Sequence, residues 1–328
     1  MVRWGILSTA LIGREHVVPA LLKAQNGVVT AVASRDLEKA RAMAAEFHIP
    51  HAFGSYEDLL GSDVVDAVYI PLITSEHVAW SIKAAQAGKH VLCEKPIALH
   101  ADQIDAIEEA QKKSGVVVSE AFMVTYHPQW LKVRELLAQG AVGTLHHVQA
   151  AFTYHNRDPH NMRNIVEQGG GALPDIGVYP TVTTRFATGA EPLQVSAKVE
   201  RDKTFGTDIY ASWRADFGSF EQTAYVGTQM ALRQEISFHG NEGWISVAAP
   251  FNAGLYDADT VTLHNNDHST AQTFRFAGVD QYQMQVEAFA RAMAGEGDGV
   301  FSLSDSRRNQ RFIDAVYRAG ESGAWETV

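Results

Sequence analysis

The chain has 328 residues, a formal net charge of −11 at neutral pH, 46% hydrophobic and 20% charged residues, and one cysteine. That length predicts about two globular domains with sizeable cores. The acidic balance excludes the electrostatic footprint of a nucleic-acid or anionic-membrane binder, no apolar run is long enough to span a bilayer, and a lone Cys93 excludes an intrachain disulfide framework. The chain enters a strand at once, without the basic and apolar regions of a signal peptide, so a cytoplasmic protein is expected.

Trp4-Gly5-Ile6-Leu7 reads as a short apolar strand. It is followed by Ser8-Thr9-Ala10-Leu11-Ile12-Gly13 and a helical run over residues 14–24. A dinucleotide fingerprint, G-x-G-x-x-G, belongs between such a strand and helix. Here Ser8 and Ala10 replace the first two glycines and only Gly13 remains. Small side chains still let backbone N–H groups approach a pyrophosphate, and Gly13 still permits close helix packing. The bland alternative is a plain strand–turn–helix.

The next strand, residues 28–33, is rich in β-branched residues. At its end, about 20 residues past the glycine turn, NAD-binding domains place an acid on the ribose 2′-hydroxyl. This chain has Ser34-Arg35-Asp36. A hydroxyl and a guanidinium suit a 2′-phosphate, whereas Asp36 reads as the N-cap or first-turn acid of a helix over residues 37–47. NADP(H) is therefore favoured, with NAD(H) the alternative.

Residues 64–70 form a third strand, ended by Pro71, and a helix over 77–87 closes at Gly88. An apolar strand from His90 then runs into Cys93-Glu94-Lys95-Pro96. Pro96 fixes φ and ends ladder pairing, which seats Lys95 on a rigid corner at the carboxyl edge of a sheet, where ligands bind in open α/β folds. Cys93, inside the strand, reads as a buried inert thiol. A helix over 102–114, Gly115 and the strand 116–118 complete an alternation that predicts a doubly wound parallel sheet over residues 1–120.

Residues 121–328 follow another rhythm. After a helix over 128–139, period-two alternation marks strands at 146–154, 194–201, 209–217, 220–226, 231–239, 243–247, 260–264 and 272–276. Gly218-Ser219 and Asn241-Glu242-Gly243 are hairpin signals. Two helices, 281–294 and 304–322, end the chain. This is an α+β domain with a large, mostly antiparallel open sheet. Such a sheet keeps one exposed face, and Trp213, Phe217, Tyr225 and Phe238 are candidates to be covered there in a homodimer or homotetramer.

Gly169-Gly170-Gly171 precedes Ala172-Leu173-Pro174-Asp175-Ile176-Gly177-Val178-Tyr179. If a helix starts near Pro174, Asp175 and Tyr179 share a face at i and i+4. The acid accepts a hydrogen bond and the phenol gives or takes a proton, a pair able to handle a hydroxyl or carbonyl. The bland alternative makes Asp175 a cap and Tyr179 core. The 14 histidines show no tetrahedral ligand set, and His146-His147 point to opposite faces of a strand, so no metal is expected.

Strand–Ser8-Thr9-Ala10…Gly13, Cys93-Glu94-Lys95-Pro96 and Gly169-Gly170-Gly171…Asp175…Tyr179 together resemble the glucose-fructose oxidoreductase / inositol dehydrogenase / rhizopine catabolism (Gfo/Idh/MocA) family. The resemblance covers essentially the whole chain. It extends, through Glu120-Ala121-Phe122-Met123 and Tyr179, to the branch holding dimeric dihydrodiol dehydrogenase and NADP-dependent D-xylose dehydrogenase. It implies a catalytic set of Lys95, Asp175 and Tyr179. It implies cofactor contacts from Ser8, Thr9, Ala10, Ile12, Gly13, Ser34, Arg35, Pro71, His77, Glu94 and Lys95, and a cis bond before Pro96. His127, Tyr154, Asn161 and Arg163 would fall near the substrate. The family's usual Pro-Asn after the third strand is Ile73-Thr74 here, and many members carry histidine at the position of Tyr179.

The implied activity is reversible hydride transfer between nicotinamide and a carbinol carbon of a sugar or polyol-like substrate. Tyr179 would be the general acid/base, tuned by the Lys95 ammonium, with Lys95 as proton carrier in the alternative assignment. A trans-dihydrodiol dehydrogenase, with Phe122, Trp130, Phe152 and Tyr154 lining an aromatic pocket, is one other reading. A non-enzymatic cofactor-sensing regulator is another.

Overall fold

The computed structural model describes residues 1–254, 259–297 and 299–328. They form two compact units, Met1–Met123 with Asp280–Arg307, and Val124–Val279 with Arg308–Val328.

The first unit carries β1 (Val2–Leu7), α1 (Val18–Lys23), β2 (Gly27–Ala33), α2 (Leu37–Phe47), β3 (His51–Phe53), α3 (Tyr56–Leu60), β4 (Ala67–Ile70), α4 (His77–Gln86), β5 (His90–Cys93), α5 (Gln103–Ser114) and β6 (Val118–Glu120). The strands form one sheet in the order β3-β2-β1-β4-β5-β6, every pair parallel. This is the Rossmann order. Both faces are buried, as a parallel sheet requires. Leu7, Ala33, Val68, Ile70, Val91 and Cys93 join a core with Ile104 and Ile107 of α5 on one side. Trp4, Ile6, Val32, Tyr69 and Leu92 meet Val18 and Leu21 of α1 on the other. Cys93 is free and fully buried, and burial drives its thiol pKa well up, as its place in the strand predicts.

Two local expectations shift. The strand expected from residue 64 pairs only from Ala67, and the one expected at 116–118 runs from Val118 to Glu120. β3 and α3 are too short to stand out as periodic runs.

The second unit carries α6 (Pro128–Ala138), β7 (Leu145–His155), α7 (Val178–Thr188), β8 (Gln194–Arg201), β9 (Asp208–Asp216), β10 (Glu221–Gly227), β11 (Gln229–Gly240), β12 (Gly243–Val247), β13 (Asp259–Asn265) and β14 (Ala271–Phe276). Together with the terminal β15 (Glu326–Thr327) they form a nine-stranded sheet, β14-β13-β12-β11-β7-β10-β9-β8-β15. Its pairs are antiparallel except β7 with β10. The hairpins at Gly218-Ser219 and Asn241-Glu242 turn where the glycine and asparagine signals predict.

One face of this sheet packs on helices. Trp130 of α6 meets Phe238 at 6.3 Å, and Trp213 meets Phe312 of the last helix, α9 (Leu303–Ser322), at 5.9 Å. Trp213, Phe217 and Phe238 are consequently buried within the chain, and the expectation that a partner covers them is corrected. Tyr225 alone of that group stays partly exposed, on the other face beside Tyr210, Ser212 and Arg214.

The sequence divided the chain once, between residues 120 and 121. The structure returns residues 280–307 to the first unit, because α8 (Gln281–Met293) sets Phe289 against Trp4 at 5.3 Å and Val286 into the same core. Asp280 caps that helix through the amides of Tyr282 and Gln283.

Candidate active site

In the first unit β2, β1, β4 and β5 are consecutive and parallel, so their carboxyl ends lie along one edge. That edge collects Ser8, Ser34-Arg35, Pro71 and Glu94-Lys95, each directly after a strand. Ser8 adopts φ 129°, a region L residues rarely enter. This is the first fingerprint position, where glycine ordinarily supplies the tight turn. Serine holds the same backbone because its Oγ accepts from the Ala10 amide at 3.0 Å, a local hydrogen bond typical of turn residues. Gly13 opens a π-helical turn, Gly13–Val17, ahead of α1. A Cβ there would meet Pro71 and Tyr69 at 3.5 Å, ordinary contact. Packing within the chain therefore does not demand the glycine, and the space it leaves fits a group approaching the helix start. With the Ala10 amide spent on Ser8 Oγ, the other amides of this turn are the donors that an anion there could use.

Asp36 accepts from Glu38 N at 3.0 Å and Lys39 N at 3.4 Å and is the N-cap of α2. Ser34 is buried, its Oγ accepting from the Asp36 amide at 3.2 Å. Arg35 is exposed directly after Ser34 at the end of β2.

At the end of β5 the Lys95–Pro96 bond is cis. Glu94 receives the Tyr69 hydroxyl at 2.6 Å and the Lys95 amide at 3.2 Å. Burial and the Glu94 charge both raise the Tyr69 pKa, so it stays a donor. His77 is buried, with Nδ1 2.7 Å from the Pro96 carbonyl and Nε2 2.9 Å from that of Leu72. It lies between the turn after β4 and the turn after β5, with a backbone carbonyl against each ring nitrogen, and as a neutral ring donates to one of them. Burial pushes its pKa down. Glu120, at the end of β6, is buried and accepts the Ile97 amide at 2.9 Å, bracing the residue after the cis proline. Burial pushes its carboxyl up to about 7. No spacing rule marks Glu120 or Tyr69 as part of this corner; only the fold brings them there.

In the second unit the glycine loop is fastened by Asp208 of β9. Its carboxylate accepts from Leu173 N at 2.7 Å and from the Tyr317 hydroxyl at 2.7 Å. Gly171 sits at φ 141°, and a Cβ there would collide with Asp208 Oδ1. The loop enters the π-helical turn Leu173–Gly177 and then α7, so Asp175 and Tyr179 lie on one continuous helical segment as expected. Asp175 Oδ2 receives the Tyr154 hydroxyl at 2.6 Å and Arg163 Nε at 2.8 Å. Asn161 caps the turn that carries Arg163, accepting its amide at 3.1 Å. Three of the four expected substrate-side residues thus gather around Asp175. The neighbouring Asp175 charge holds the Arg163 pKa above its usual value. Burial first, then the same charge, raises that of Tyr154. The Tyr179 ring lies 5.7 Å from both Phe152 and Phe251, which stack on each other at 4.9 Å.

His127 is the exception. It is fully buried, caps α6 by accepting from Gln129 N at 3.1 Å, and faces Asp259 at 3.6 Å. Burial lowers its pKa. In the structure its role is to cap α6. Among the described residues, no group of three or more His, Cys, Asp or Glu side chains is placed to hold a metal ion.

Residues 2–122 match the oxidoreductase family model described as GFO/IDH/MocA, NAD-binding Rossmann fold, and residues 130–246 match the GFO/IDH/MocA C-terminal domain. This chain belongs to the GFO/IDH/MocA oxidoreductase family. It is 40% identical to an uncharacterized oxidoreductase of Rhizobium meliloti over 100% of this chain and 99% of the other. It is 35% identical to the NADP(+) D-xylose 1-dehydrogenase 2 of Haloferax volcanii, covering 98% of each. Among solved structures, a 3-ketoreductase from Actinomadura kijaniata in complex with NADP and TDP-benzene superposes with TM-score 0.91 at 29% identity, over 97% of each chain. As in the GFO/IDH/MocA family generally, the chain is an NAD(P)-dependent oxidoreductase. Among the described residues no helix is long and apolar enough to cross a membrane.

Proposed function

We propose that this oxidoreductase uses NADP(H) to interconvert a secondary alcohol and a carbonyl on a sugar or polyol-like substrate. A bound nicotinamide would supply the hydride acceptor or donor at its C4. Tyr179 takes the hydroxyl proton as the carbinol carbon is oxidised and returns it in reduction. Lys95 donates to the substrate oxygen, and Asp175 accepts from an adjacent substrate hydroxyl. Asp208 keeps the segment bearing Asp175 and Tyr179 in register. Ser8 to Gly13 bind the pyrophosphate, with Ile12, Pro71 and Glu94 around the cofactor, and Ser34 and Arg35 bind the 2′-phosphate.

The observation that carries the sugar reading is Asp175 gripped by Tyr154 and Arg163. A carboxylate, a phenol and a guanidinium at one point suit a substrate that presents several hydroxyls. The dihydrodiol alternative loses support, because Phe122, Trp130 and Phe152 are core residues. Asp36 serves α2 as its N-cap through Oδ1, and Ser34 and Arg35 beside it suit a 2′-phosphate, which supports NADP(H) over NAD(H).

The open face of the nine-stranded sheet, with Lys198, Tyr210, Arg214 and Tyr225, supports a homodimer or homotetramer through that face. The single, buried cysteine is consistent with a cytoplasmic location.

The test is a panel of aldoses, polyols and aromatic trans-dihydrodiols with NADP+ and with NAD+, following nicotinamide reduction on protein freed of bound cofactor. Turnover of aldoses with NADP+ is expected. Turnover confined to dihydrodiols, or to NAD+, overturns the corresponding part of the assignment.

A further inference from the structure

Arg35 projects from the end of β2, and Glu76 lies in the turn Thr74–Glu76 after β4. The two strands are separated in the sheet by β1. The pair therefore reaches over the carboxyl end of β1, beside the Ser8–Gly13 turn. Arg35 Nη1 is 3.6 Å from Glu76 Oε1, close enough for attraction and beyond hydrogen-bond length. The arginine side chain is 75% exposed and that of Glu76 29%. Tyr56, at the start of α3, lies near both. Burial raises its pKa, while the Arg35 charge and hydrogen bonding lower it and the Glu76 charge raises it. Tyr56 is itself held edge-on against Trp80 at 4.9 Å. The guanidinium thus neighbours a phenol and a carboxylate, and at 3.6 Å it does not hydrogen-bond the carboxylate.

We propose that Glu76 is a specificity-determining residue that competes with the cofactor 2′-phosphate for Arg35, tempering the preference for NADP(H) over NAD(H). This rests on Arg35 being the phosphate reader. The phosphate is doubly charged and forms bidentate hydrogen bonds that a carboxylate at 3.6 Å does not. It therefore displaces Glu76, but it then lies near an uncompensated negative charge. A cofactor with a bare 2′-hydroxyl leaves the Arg35–Glu76 pair undisturbed. Glu76 thus weakens NADPH binding and leaves NADH binding unchanged. The exposure of the pair limits the effect to a modest factor.

The experiment measures NADPH and NADH dissociation constants by nicotinamide fluorescence for the wild type, Glu76→Gln and Arg35→Ala, with thermal melts confirming folding. Glu76→Gln is expected to tighten NADPH roughly two- to fivefold with NADH unchanged, and the gain should shrink as salt screens the charges. Unchanged or weaker NADPH binding in Glu76→Gln overturns the competitor role. Arg35→Ala separates the two assignments. If it loses NADPH affinity selectively while Glu76→Gln gains none, only the Glu76 assignment falls. If Arg35→Ala binds NADPH as the wild type does, the phosphate-reader assignment falls and the Glu76 role with it.

Discussion

Tyr154 donates its hydroxyl to Asp175 Oδ2 at 2.6 Å, and the same oxygen receives Arg163 Nε at 2.8 Å. The strand β7 supplies the phenol and a short helical turn supplies the guanidinium, so two separate elements pin one carboxylate. A hydrogen bond to a charged group contributes about 1.5–3 kcal/mol. Tyr154→Phe should therefore lower kcat/KM roughly 10- to 100-fold while Arg163 still holds Asp175. Steady-state kinetics paired with a thermal melt check this, since activity should fall much further than Tm. Wild-type kcat/KM in the variant would remove Tyr154 from the substrate side.

The aromatic surroundings of Tyr179 make Tyr179→Phe a clean substitution. Its ring packs on Phe152 and Phe251, and phenylalanine keeps those contacts. Only the hydroxyl is lost. If that hydroxyl carries the proton, kcat should drop by about 10²- to 10⁴-fold with NADPH affinity unchanged. Near-normal turnover would transfer the proton to Lys95, and Lys95→Met would then be the variant that loses kcat.

The two loop glycines should respond in opposite ways. Alanine at Gly13 meets only ordinary contacts, and in a helical turn it gains up to about 1 kcal/mol over glycine. Gly13→Ala should fold with an unchanged or slightly raised Tm and bind NADPH at least about tenfold more weakly, because the Cβ occupies the approach to the helix start. Gly171→Ala places a Cβ against Asp208 at φ 141° and should lower Tm by several degrees. Urea and thermal unfolding, with NADPH titration, distinguish the two.

Glu120 predicts a pH dependence of stability. Its carboxyl is raised from 4.5 to about 7 in the folded protein, mainly by burial. Between those values the native state holds a proton that the unfolded chain has released, so unfolding free energy falls as pH rises. The loss is at most about 3 kcal/mol and is complete above about pH 7. Glu120→Gln keeps an acceptor for the Ile97 amide and removes the charge. Its urea midpoint should match the wild type at pH 5 and exceed it at pH 8. Parallel pH profiles for both proteins would exclude Glu120 as the titrating group.

Features that depend on neighbours along the chain are legible before any folding is considered. Apolar runs alternating with helical periods predict the Rossmann half, and Asp36 before a helix predicts the cap that the structure contains, since both are settled within a few residues. The segment from Asp175 to Tyr179 was legible for the same reason, through proline placement and i,i+4 spacing. Tertiary structure alone decided the rest. The parallel pairing of β7 with β10 joins strands about 70 residues apart, and no hairpin signal encodes it. The return of residues 280–307 to the first unit depends on Phe289 finding Trp4 across most of the chain. The partners of the site residues follow the same rule: Asp208 and Tyr317 behind the glycine loop, Tyr69 on Glu94, and Glu120 on Ile97. Each is a polar side chain whose partner comes close only after strands and helices pack, because burial, which makes such hydrogen bonds obligatory, exists only in the folded chain.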